Sequence, residues 1–148
     1  MNGDYCSTAP WTNACVATLA NLLLQADLQG IHAWAEDHNA TGDSLGEDAF
    51  VTAIASLGSD VQHRAAARVR AMTGREVIFA PAASPDATPA ERDVELIVSM
   101  TLNRDNPGLL GVFDGIRERD AWEPMVAALI AWATVMLQVE AHQAGGLS

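Results

Sequence analysis

The sequence PMVAALIAWATVMLQV occupies residues 124–139, carries no charged side chain and is almost wholly apolar. Its large apolar side chains occur at every angle around a helix rather than along one stripe. A helix that is apolar on all sides has to be buried on all sides. The stretch of 16 residues falls short of the about 20 that a membrane-spanning helix needs. We therefore expect a C-terminal helix that is buried in protein.

The remaining segments also favour helices. Of the 148 residues, 49% are hydrophobic but only 5% are aromatic, and alanine, the strongest helix former, is abundant. The sequence predicts one all-α domain, a compact bundle of about five helices whose first two form a long antiparallel pair. The predicted segments are an irregular arm over 1–11, a helix over 12–40 that can bend at Gly30, a helix over 44–73, an extended loop containing prolines over 75–87, helices over 88–104 and 106–117, the C-terminal helix over 120–143 and a tail over 144–148.

Several helix ends have local signals. Thr88-Pro-Ala-Glu91 predicts a capping box, in which the threonine side chain and the glutamate three residues later bind each other's backbone N–H. Gly74 is expected to end the second helix in the left-handed conformation. Asp120 is expected to cap the C-terminal helix.

Charge is distributed unevenly along the chain. There is no lysine, and the first arginine is Arg64, so the formal charge of −11 divides into −8 over residues 1–63 and −3 over 64–148. Such a protein repels nucleic acid and anionic lipid and attracts basic surfaces. We expect no direct nucleic-acid partner and no membrane partner, whereas a basic protein is a candidate partner. The lack of lysine also excludes Schiff-base chemistry and a phosphate-loop lysine.

The histidines give no convincing metal site. His32 and Glu36 are four residues apart on a predicted helix, and Asp60 and His63 are three apart, so each pair shares a helix face. A di-iron bundle needs Glu-x-x-His on two helices with further glutamates, and residues 60–63 approximate this motif only once. We predict no metal ligands, no cofactor and no catalytic residues, and we lean towards a protein that is not an enzyme.

The two cysteines, Cys6 and Cys15, are too far apart in sequence for a CxxC motif. They can form a disulfide, but two reduced thiols are the expected state. The N-terminal region lacks the positive charge of a signal peptide, and we expect a cytoplasmic protein.

The leading functional hypothesis is a non-enzymatic protein–protein interaction or regulatory module that self-associates as a homodimer. If the bundle cannot surround the C-terminal helix, its remaining apolar face needs a second copy. The expected interface residues are Met125, Leu129, Trp132 and Met136.

Two alternatives remain open. The first is a small-ligand- or metal-binding bundle, with or without catalytic activity, whose pocket is lined by Trp34, Trp132, Met136 and the His32–Glu36 pair. The second is an acidic decoy that occupies the basic groove of a nucleic-acid-binding partner. Its phosphate-mimicking carboxylates would be Glu36, Asp37, Asp43, Glu47 and Asp48.

Overall fold

The computed structural model describes residues 13–38, 40, 44–76 and 85–146, and within these ranges every regular element is a helix. The helices are α1 (Asn13–Leu24), α2 (Leu28–Asp37), α3 (Ser44–Thr73), α4 (Pro89–Leu102), α5 (Asn106–Glu118) and α6 (Trp122–Gly146). The all-α prediction is confirmed, but the described residues contain six helices instead of five. The predicted arm over 1–11 and most of the 75–87 loop lie outside the described residues. Residues 144–146, predicted as tail, belong to α6.

The additional helix arises because the first predicted helix breaks before Gly30. Ala26 adopts a left-handed conformation with φ of 54°, and the Asp27 side chain then caps α2 by accepting a hydrogen bond of 2.9 Å from the Gly30 N–H. Gly30 thus lies in the first turn of α2 and is not a mid-helix hinge. The apolar stripe continues across the break, so periodicity alone predicts one helix.

Three helix ends share this turn geometry. Ala26, Arg104 and Asp120 all have positive φ. In each case the left-handed residue donates its N–H to the carbonyl three residues back, and the next residue donates five residues back, as in a Schellman motif. Asp120 therefore ends α5, and the prediction that it caps the last helix is wrong. The turn is built each time from a non-glycine residue, so no glycine marks it in the sequence.

Two predicted helix ends are found. Thr88 and Glu91 form the capping box, with hydrogen bonds of 3.0 and 3.2 Å between each side chain and the other's backbone N–H. Gly74 follows α3 with φ of 71°. These signals act within four residues, so they depend little on the rest of the fold.

Helix α6 packs against α1, α3, α4 and α5. It contacts α3 most extensively, then α4 and α1. The predicted long antiparallel pair is not found, because its first member is two helices and α3 packs mainly on α6. The wholly buried side chains of the core come from all six helices: Leu19, Leu23, Ile31, Val51, Ile54, Ile97, Phe113, Ile116, Met125 and Leu129.

The N-terminal helices are fastened to this core through Trp34. Its indole Nε1 donates a 3.1 Å hydrogen bond to the Cys15 carbonyl, and its ring stacks on Phe50 of α3. Cys15 is disulfide-bonded, so the expectation of a reduced thiol is wrong for this residue. Cys6, the other cysteine of the chain, lies outside the described residues.

Candidate interaction surface

The four residues predicted to form an interface lie in two different environments. Met125 and Leu129 are both 0% exposed and belong to the core. Trp132 and Met136 are half-buried. The first two are enclosed by the other helices of the same chain. A surface on α6 that reaches a partner must therefore be built from other side chains of this helix.

Trp132 packs against α3 at Gly58. A Cβ atom added to Gly58 would lie only 2.2 Å from Cζ3 and 2.4 Å from Cη2 of the indole. Gly58 is buried and lies inside a helix, where glycine normally destabilises. The close approach of the ring explains why no larger residue fits at this position.

About two turns further along both helices, Arg64 of α3 binds Glu140 of α6. The guanidinium donates two hydrogen bonds of 2.8 Å, from Nε to Oε2 and from Nη2 to Oε1. These hydrogen bonds lower the pKa of Glu140, against the effect of burial, and raise the pKa of Arg64. The contacts advance together along both chains, from Gly58–Trp132 to Arg64–Glu140, so α3 and α6 run parallel.

Both helices continue beyond the core. Val61 is the last buried residue of α3, and Ala133 is the last of α6 among the side chains that are described. Beyond Val61, α3 extends through residue 73, which is about 18 Å at 1.5 Å per residue. We call residues 62–76 and 134–143 the α3–α6 tip. It is a parallel helix pair stabilised by the Arg64–Glu140 ion pair.

One face of α6 is open to solvent along most of its length. The exposed residues at helical spacing are Ala127, Ala131, Val135, Gln138 and Val139, and we call them the open face. Val135 and Val139 are 56% and 50% exposed. The Gln138 side chain donates a 3.1 Å hydrogen bond to the Leu24 carbonyl, which places the end of α1 beside this face.

By length and composition alone, residues Trp122–Gln143 could cross a membrane, and only 22% of the most apolar window is buried inside the protein, which is little for a core helix. A core helix of a soluble protein passes the same test. Here Met125, Leu129 and Ala133 pack inside the protein, so a membrane-inserted α6 would have to abandon that core.

The start of α6 lies in a polar cluster with α3 and α5. Arg117 donates hydrogen bonds to Asp48 at 2.6 Å and to Glu47 at 3.2 Å. Its guanidinium also lies over the Trp122 ring, 4.0 Å from the centroid, in a cation–π contact. Burial opposes the charge of Arg117, but the two carboxylates outweigh it and raise its pKa.

A second ion pair lies close in sequence. Asp93 of α4 is buried, with 7% of its side chain exposed, and its Oδ1 accepts a 2.8 Å hydrogen bond from Arg119. Its Oδ2 is buried and has no hydrogen-bond partner in the described part of the chain. Arg117 and Arg119 are thus both engaged by carboxylates of the same chain.

The other candidate site residues do not assemble into a chemical site. His32 and Glu36 are exposed on α2, and His63 is exposed on α3. Trp34 stacks on His38 with ring centroids 4.0 Å apart. Among the residues that the structure describes, no three His, Cys, Asp or Glu side chains are grouped so that they could hold a metal ion.

Comparison with known proteins adds no relative: no family model, no curated protein and no solved structure matches this chain. Sequence reasoning missed Val135 and Val139 because a uniformly apolar helix has no periodicity to show which face stays open. The charge boundary at Arg64 is the one sequence signal that coincides with the tip.

Proposed function

We propose that this protein is a non-enzymatic protein–protein interaction module that self-associates as a homodimer through α6. The observation behind the proposal is the open face, where two half-exposed valines and two exposed alanines follow one another along a single helix. Isolated exposed apolar residues are normal on protein surfaces, whereas a continuous apolar face is typical of an interaction site.

The energetics favour covering this face. Burial of apolar surface is worth about 25 cal/mol per Å², or about 1.5–3 kcal/mol for a large side chain that becomes fully buried. Val135 and Val139 are each half-buried already, so each would contribute roughly half of that. In a two-fold dimer the burial free energy of each valine is gained twice, since both copies use the same face.

The alternatives receive less support. Arg117 binds Glu47 and Asp48, which leaves fewer free carboxylates for an acidic decoy. His32 and Glu36 face solvent, so they do not line an enclosed pocket. Asp43 lies outside the described residues.

Sedimentation velocity over a range of protein concentrations tests the proposal. We expect a dimer at high micromolar concentration, and Val135→Arg should shift it to monomer because it places a charge in the centre of the apolar face. The matched control is Leu110→Arg on α5, since Leu110 is 54% exposed against 56% for Val135. It should leave the dimer intact. A wild-type protein that stays monomeric at high micromolar concentration, or equal effects of both variants, would contradict the proposal.

A further inference from the structure

We propose that the two copies pair antiparallel, so that the α3–α6 tip of one protomer lies against the opposite, acidic end of α6 in its partner. This inference rests on the proposed self-association and specifies its geometry. Charge at the two ends of the open face is the observation that decides between antiparallel and parallel pairing.

The tip is basic in an acidic protein. It contains four arginines and two glutamates, which gives it a formal charge of +2 and leaves −13 for the rest of the chain. The arginines are Arg64, Arg68, Arg70 and Arg75, and all four are exposed. An acidic surface is therefore the favoured neighbour of this tip.

The other end of α6 supplies such a surface. Four exposed carboxylates surround the α5–α6 turn: Asp114, Glu118, Asp120 and Glu123. The two arginines of the same segment do not neutralise them, because Arg117 binds Glu47 and Asp48 and Arg119 binds Asp93. We call these four carboxylates the acidic end.

The two ends are far enough apart to act separately. Glu123 and His142 are separated along the helix by about 29 Å, well beyond the screening length of about 8 Å at physiological salt. Antiparallel pairing brings each basic tip to an acidic end, twice per dimer. Parallel pairing would place tip on tip and acidic end on acidic end, where like charges repel.

The side chains of the open face fit the same arrangement. With the two-fold axis at Ala131, Val135 faces Ala127 of the partner subunit, so this larger side chain meets a small one, whereas Val139 lies at the height of Glu123 of the partner subunit. Arg64 is at the height of Glu140 on α6, and Arg68 lies one turn further on. The two-fold axis therefore carries Arg68 beyond the start of α6 in the partner subunit, towards the acidic end at the α5–α6 turn.

Disulfide cross-linking tests the direction of pairing. A disulfide needs Cα atoms within about 7 Å. Antiparallel pairing predicts that Ala131→Cys links to itself and that a mixture of Ala127→Cys and Val135→Cys, distinguished by a mass tag, forms the mixed dimer. It also predicts that Val139→Cys does not link to itself, because the two positions would be about 24 Å apart along the helix axis. Efficient self-linking of Val139→Cys would overturn the inference.

Charge reversal provides an independent test. We expect Arg68→Glu to weaken the dimer about tenfold, since each substitution counts twice, and Glu118→Arg in the same chain to restore most of the loss. Raising the salt concentration should weaken the wild-type dimer and flatten the difference between variants. An Arg68→Glu variant that Glu118→Arg does not rescue would count against the contact.

The outcomes separate the two proposals. A protein that is monomeric at all salt concentrations overturns both. A salt-insensitive dimer, or one in which Val139→Cys links to itself, overturns only the antiparallel geometry. Flotation with vesicles of anionic phospholipid tests whether the open face binds a membrane surface instead of a second copy. If the protein is monomeric and binds the vesicles, and Val135→Arg abolishes that binding, the open face is a membrane-binding surface and both proposals are overturned.

Discussion

Replacing Gly58 by alanine probes the contact that sets the register of α3 on α6. The new Cβ would lie 2.2 Å from the Trp132 ring, whereas carbon atoms in contact prefer about 3.5–4.0 Å. The ring must therefore retreat by about 1.5 Å, and insertion of a methyl group into such a packed contact costs about 1–3 kcal/mol. Removing a glycine from a helix interior gains about 0.5–1 kcal/mol, so the two effects oppose each other.

A matched control separates them. Gly111 of α5 also lies inside a helix, but a Cβ added there would have no atom within 4 Å. Gly111→Ala should stabilise by the propensity gain alone, about 0.5–1 kcal/mol. The difference between the two variants should then equal the packing cost of about 1–3 kcal/mol. Urea unfolding followed by far-UV circular dichroism measures it, at one fixed protein concentration because association changes apparent stability.

A third variant shows whether Trp132 is the cause. In a Trp132→Ala background the indole is gone, so Gly58→Ala should behave like Gly111→Ala and become stabilising. If Gly58→Ala and Gly111→Ala have the same effect in the wild-type background, the ring does not lie against Gly58. The parallel register of α3 and α6, and with it the position of the tip, would then be wrong.

Two further predictions concern a turn and an ion pair. Ala26→Gly should stabilise the protein by about 1 kcal/mol, because the left-handed φ of Ala26 strains an L-residue. The control Ala33→Gly within α2 should destabilise it by about 0.5–1 kcal/mol. If thermal unfolding shows that both variants change the stability in the same direction, the left-handed turn at Ala26 is refuted. Hydrogen bonds from Arg64 lower the pKa of Glu140 below its ordinary 4.5, so the pair stabilises above that pH and the gain is lost as pH falls through the lower folded-state pKa. Glu140→Gln should therefore cost less than about 1 kcal/mol at pH 7, since the pair is partly exposed, and nothing in strong acid; a cost that persists there would rule out the ion pair as its source.

The presence of the helices and the positions of several helix ends could be predicted from the sequence, because both depend on local signals. The predicted bounds 44–73 coincide with Ser44–Thr73 of α3, and the Thr88–Glu91 capping box is present as expected. In contrast, the turn at Ala26 could not be seen, since an alanine in the left-handed conformation is held there by two Schellman hydrogen bonds and a following aspartate cap. Neither the left-handed alanine nor the aspartate cap interrupts the apolar pattern, so the sequence there looks like one continuous amphipathic helix.

For the candidate surface, the sequence predicts the helix that carries it but not which face of that helix is exposed. An apolar C-terminal helix indicates that some of its circumference needs a partner, but Met125 and Val135 are equally apolar in sequence. Which of them is enclosed depends on where α3, α4 and α1 end, and this is tertiary information. The structure encloses Met125 completely and leaves Val135 more than half exposed, so the proposed interface moves around the helix to its open face.

The charge boundary links sequence to this surface. Val61 is the last residue of α3 that reaches the core, and Arg64, only three residues later, is the first arginine of the chain. The arginine can lie there at little desolvation cost because α3 leaves the core at that point. The same position lets Arg64 bind Glu140 and begin the only basic surface on the described part of α3 and α6. A strongly acidic chain that places half of its arginines at one end of an exposed apolar helix face, and carboxylates at the other, is repelled by its own copy in a parallel arrangement and attracted in an antiparallel one. Charge would then determine the direction of pairing, while Val135, packed against Ala127 of the partner subunit, would contribute burial of apolar surface.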